Sequence, residues 1–176
     1  MPQPLSAVRK DATSNIFAAG GAPFLQYPDL AQLVMTAIFR HSQLEASMLH
    51  LFVDIMGGNK SVAAALYLSL EARNAKANAI EAASKTILKE TQHAVLMAII
   101  RRSKSCQKKR DALAHGLWGV SRDVPDALIL LDAKSSVLLD STELHNHVYV
   151  YRKKDLVDIA EETQEVIGML MTFRLH

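Results

Sequence analysis

Cysteine is nearly missing: Cys106 is the one thiol in 176 residues, which excludes an internal disulfide and a four-thiolate zinc site within one chain. Long apolar runs are missing too. None reaches the roughly 18 residues of a membrane span, and the opening stretch MPQPLSAVRKDATSN carries no apolar core of signal-peptide length. The expected setting is therefore the cytoplasm, away from membranes. Net charge is only +2, so any pull on a polyanion must come from local clustering of charge. Aromatic residues make up 6% of the chain, and apart from Trp118 none stands near the basic run, which argues against a stacking platform for single strands. Neither a glycine-rich phosphate loop nor a serine-nucleophile elbow occurs.

What remains is material for a core. Hydrophobic residues supply 49% of the chain against 22% charged, an ordinary balance for a folded domain. Residues 1–26, with AAGGAP among them, keep no steady period and read as an amino-terminal arm docked through Phe17 and Phe24. Residues 27–176 read as a single helical domain. From Pro28 onward, Leu30, Leu33, Val34, Ala37, Ile38, Leu44, Met48, Leu51, Phe52 and Ile55 recur every three or four residues. They predict one helix that Gly57 and Gly58 end. Met35, Phe39 and Leu49 fall off that stripe and imply a second packing surface.

SVAAALYLSLE and NAKANAIEAASKTILK predict one long helix or two short ones, with Asn78 and Glu81 at capping-box spacing. TQHAVLMAII opens another helix that either continues toward Trp118 or breaks near Ser103 to Ser105. Within it, Leu96, Ile99, Ile100, Ser103, Gln107, Arg110, Ala114 and Leu117 define an inward stripe. ALILLD and HVYVYR, short and rich in aliphatic, β-branched and aromatic residues, predict an antiparallel β-hairpin over about 126–152. Asp155 is the expected cap of a last helix over about 155–173. The fold class is all-α dominated, an up-down helical bundle with a small β-hairpin before the carboxyl-terminal helix.

Arg101, Arg102, Lys104, Lys108, Lys109 and Arg110 place six of the twenty Lys and Arg residues in ten positions with no acid among them. Such a run attracts phosphates by Coulomb forces and counterion release, and it also suits a solvated helix face. Arg110 is the informative member. Its guanidinium stays charged at any ordinary pH, so an inward position calls for an acidic partner or a ligand. Five residues on, His115 stands before Gly116, about 140° around an ideal helix from Arg110. Two copies of the chain at a symmetric seam would bring both residue types together.

The stretch RDALAHGLWG resembles the Arg-x4–6-His signature of the HEPN superfamily, with Arg110 and His115 in the motif positions and Asp111 in the polar place after the arginine. Asn is common in that place. The resemblance covers about residues 28–120. It implies a HEPN-like helical homodimer acting as a metal-independent endoribonuclease, or an inactive relative that binds a protein or nucleotide. An active member would send the RNA 2′-hydroxyl onto the adjacent phosphate and release a 2′,3′-cyclic phosphate, without a cofactor or metal. His115 would move protons, Arg110 would steady the phosphorane, and Asp111 would orient either one. Lys104, Lys108, Lys109, Arg101 and Arg102 would contact RNA. Family members act in toxin–antitoxin and antiphage systems, so an antitoxin protein is an expected partner.

Three histidine settings carry less. Glu90 and His93 have the spacing used in di-iron bundles, but the second pair and the two further glutamates that such a site needs are not found. His145 and His147 share one face of a strand as metal ligands can, with no third ligand placed nearby. His41 lies in the apolar stripe of the first long helix, four residues before Glu45, and reads as a core histidine.

Overall fold

The computed structural model describes residues 1–8, 16–18, 22–132 and 146–174. In chain order the elements are β1 (Gln3–Pro4), α1 (Leu5–Val8), β2 (Ile16–Ala18), α2 (Ala22–Gln26), α3 (Pro28–Met56), α4 (Lys60–Ser69), α5 (Arg73–Ile87), α6 (Glu90–His115), β3 (Leu117–Ser121), β4 (Val124–Leu131), β5 (Val148–Arg152) and α7 (Lys153–Arg174). Helices predominate beside a small antiparallel sheet. The chain forms two compact units, one of Met1–Phe39 with Lys108–Glu161, the other of Arg40–Gln107 with Glu162–His176.

The first unit is built on an antiparallel sheet of order β1-β5-β4-β3-β2. The expected hairpin is its centre: β4 pairs with β5, Leu128 opposite Tyr151 and Leu130 opposite Tyr149. The unbroken apolar run of β4 follows from burial on both faces, as in a strand covered on either side. Leu128 and Leu130 join Trp118 and Tyr151 in a core with Leu30, Val34, Leu113 and Leu156, while Ala127 and Ile129 join Leu5, Val124, Val148 and Val150. The amino-terminal segment is more than an arm, because β1 and β2 pair at the two sheet edges. Phe24 sits beside Trp118, with ring centroids 5.6 Å apart, and Phe17 pairs with Val120 through the backbone. Asp126, at φ 59°, marks a bulge where the pairing of β3 and β4 shifts register.

The second unit is helical. Leu44, Met48, Leu51, Phe52 and Ile55 of α3 pack with Ile80 of α5, Leu96, Ile99 and Ile100 of α6, and Val166, Ile167 and Leu170 of α7. Gly57 and Gly58, both at φ 60°, end α3 in the left-handed region where glycine has no Cβ penalty. Of the two helical alternatives, the chain adopts two short helices. The cap of α4 is Asn59, whose Oδ1 accepts from the Ser61 and Val62 amides at 3.0 and 3.2 Å. Asn78 and Glu81 form no capping box, because α5 is already under way at Arg73.

Helix α7 starts two residues earlier than Asp155, so Asp155 is its third residue and not its cap. It still serves the helix start, reaching back to accept the Arg152 amide at 3.1 Å. Of the three α3 residues expected to form a second packing surface, Met35 and Phe39 are 65% and 64% exposed among the described residues, whereas Leu49 is partly buried against the helical core. No helix among the described residues is long and apolar enough to cross a membrane.

Candidate functional site

Helix α6 runs without interruption to His115, because Glu90 to His115 contains neither proline nor glycine. Leu113 is buried in the core of the first unit. Arg110 lies one turn earlier on nearly the same face and is 20% exposed. Its Nη1 donates to Asp111 Oδ1 at 3.0 Å, the two side chains being 20% and 34% exposed. Arg110 Nε is shielded from solvent and makes no hydrogen bond among the described residues. Neighbours on a helix do not share a face. The pair forms because the long arginine swings sideways over the helix to reach the carboxylate.

His115 is the last residue of α6 and is exposed. Along one helix the side chains of Arg110 and His115 diverge by about 140°. A single copy of the chain thus presents an oriented arginine and an open histidine on different sides of one helix end.

The turn after His115 is tight. Gly116 donates its amide to Ala112 O at 2.9 Å, and β3 begins at the next residue. A Cβ on Gly116 would stand 2.4 Å from Leu130 Cδ1 and 2.9 Å from the Ala112 carbonyl oxygen. Trp118 turns back so that its indole N–H meets the Leu113 carbonyl at 3.1 Å. Ala114 and Leu117, expected inward, are both exposed, Ala114 in the last turn of α6 and Leu117 beyond it as the first residue of β3.

The basic run has several fates. In the second unit Arg101 and Lys104 are exposed, whereas Arg102 donates to Glu165 at 2.9 Å and to the Met169 sulfur at 3.6 Å. In the first unit Lys108 is exposed and Lys109 half-buried. Arg102 is therefore already engaged with a carboxylate, a role its position in a basic run does not signal.

Three further histidines have local settings of their own. His93 Nδ1 lies 2.9 Å from the Ser84 hydroxyl, which ties the start of α6 to α5. His41 is buried with its Nδ1 3.8 Å from Glu45 Oε1, an ion-pair distance too long for a hydrogen bond. It lines a cavity of about 350 Å³ in the second unit together with Ser103, Tyr67, Lys76 and Glu71. His147 is exposed just before β5, and His145 lies outside the described residues. Among the described residues no three His, Cys, Asp or Glu side chains gather where they could hold a metal ion.

Two tyrosines stand out electrostatically. Burial, then the Glu45 carboxylate, pushes Tyr67 up to about 12. Burial, then Asp155 and Tyr149, does the same to Tyr151. Both act as packed rings, not as proton carriers near neutral pH.

Comparison of the chain with known protein families, with curated proteins and with solved structures returns no match.

Proposed function

We propose that the chain is a HEPN-like, metal-independent endoribonuclease that works in the cytoplasm as a homodimer. The observation that carries this reading is the end of α6, where Asp111 orients the Arg110 guanidinium at 3.0 Å and His115 stands exposed five residues on. RNA brings its own nucleophile. The 2′-hydroxyl oxygen bonds to the adjacent phosphorus, the bond to the 5′-oxygen breaks, and the products end in a 2′,3′-cyclic phosphate and a 5′-hydroxyl. His115 serves the proton transfer, and Arg110 offers N–H donors to the charge that gathers on the phosphorane. Arg101, Lys104, Lys108 and Lys109 add positive charge that draws the phosphate backbone. A toxin or antiphage role with an antitoxin partner follows from the family resemblance.

One observation favours a second reading. The shielded Nε and the Asp111 contact also suit an arginine kept for structure, as in an inactive HEPN-like dimer that binds a protein or nucleotide.

Single-stranded RNA incubated in EDTA with wild type, Arg110→Ala and His115→Ala separates the two. The ribonuclease reading expects cyclic-phosphate ends from wild type and at least ~100-fold slower cleavage by both folded variants. Equal cleavage by all three proteins would sink it. An Arg110→Ala protein that melts or dissociates, with no cleavage by wild type, supports the binding module.

A further inference from the structure

The carboxyl end of α6 is fastened by a side chain from the strand that follows it. The last carbonyls of an α-helix find no partner inside the helix, and such ends fray unless something else bonds them. Here the Ala112 carbonyl accepts the Gly116 amide at 2.9 Å, and the Leu113 carbonyl accepts the Trp118 indole N–H at 3.1 Å. The second bond is inside the core, with Leu113 and Trp118 only 1% and 9% exposed. The indole is itself clamped, its centroid 5.6 Å from the Phe24 ring and 5.6 Å from the Tyr151 ring, the latter edge-on. The connection from α6 to β3 is a single residue, Gly116, pressed against Leu130. His115 is thus held on both sides, by a bonded carbonyl two residues before it and a glycine without slack after it.

We propose that Trp118 is a positioning residue. Its indole N–H keeps the last turn of α6 closed, so that His115 presents its imidazole at a fixed height and angle on the end of that helix. This rests on the ribonuclease reading in one respect only, the use to which the fixed imidazole is put. Proton transfer in a transition state is sensitive to placement on the scale of an ångström, and a frayed terminal histidine would forfeit that. The role belongs to the N–H. The ring alone would fill the same space.

Trp118 is the chain's one tryptophan, so analogue incorporation changes only that position. The decisive variant carries β-(3-benzothienyl)alanine, which keeps the indole outline and lacks the N–H; Trp118→Phe is the genetic counterpart. Three quantities are compared with wild type at matched melting temperature: kcat and KM for single-stranded RNA, hydrogen exchange at the Gly116 amide, and NMR relaxation of the His115 ring. The expected result is a kcat lower by about ten-fold or more with KM within about two-fold, faster Gly116 exchange, and a more mobile His115 ring. A His115 ring as rigid as in wild type overturns the proposal, whatever happens to melting temperature or KM. If wild type does not cleave RNA at all, the ribonuclease reading falls, and the mobility of His115 alone decides the positioning role.

Discussion

Arg110 shows how one side chain can be costly and informative at once. A guanidinium that is 20% exposed has given up much of its water, and one nearby carboxylate, Asp111, answers it through Nη1. Removing a single partner of such a pair costs more than the pair contributes, because the remaining charge stays half-desolvated. Tyr67 and Tyr151 carry the clearest pH signature. Their hydroxyls keep their protons in the fold until about pH 12, against 10.0 for an unperturbed tyrosine. Between those values the unfolded chain has released protons that the folded chain still holds. The stability that each tyrosine contributes is therefore complete below pH 10 and is lost as pH climbs through 12. The loss is at most roughly 3 kcal/mol per group. Titration by tyrosinate absorbance should lose a step near pH 12 in Tyr67→Phe and in Tyr151→Phe. Loss of a step near pH 10 instead would show that burial does not hold these hydroxyls neutral.

At the scale of elements, the junction of α6 with β3 is tightly constrained, by the one-residue link at Gly116 and by the Trp118 bond to Leu113. Gly116→Ala would push a methyl group into Leu130, itself 3% exposed, and against the Ala112 carbonyl. Overpacking of this kind costs about 1–3 kcal/mol, so the urea midpoint should fall with an unchanged slope. An unchanged midpoint would mean that β4 yields easily there. Much of this level was legible in the sequence, since α3 begins and ends where Pro28 and the glycine pair indicate, and β4 and β5 pair as expected. The outer strands were not. Gln3–Pro4 and Ile16–Ala18 are too short to show alternation, and Leu117–Ser121 sits directly against a helix stripe that masks its own pattern. The capping signal misled for a related reason: Asn78 and Glu81 have the right spacing, but nothing local says that a helix has already begun. At the candidate site, the helix carrying Arg110 and His115 was legible. The bonds from Trp118 to Leu113 and from Arg102 to Glu165 were not, because each joins residues whose closeness depends on the fold and not on a local pattern.

For the whole molecule, the proposed chemistry turns on one geometric demand. Arg110 and His115 point about 140° apart on a single helix, so one protomer does not aim both at one phosphate. In the proposed homodimer a two-fold seam would supply the missing alignment: Arg110 of one copy would meet the histidine of the other, and each dimer would carry two such composite sites. This is a stricter claim than dimerisation alone, and it predicts complementation. Arg110→Ala and His115→Ala proteins, each inactive, are co-refolded so that subunits mix, and RNA cleavage is then measured in EDTA. Half of the dimers are mixed under random assembly and hold one intact site of two, so activity should return to about one quarter of the wild-type level. A mixture as inactive as its two parents, with mixed dimers shown to be present, would contradict the shared site.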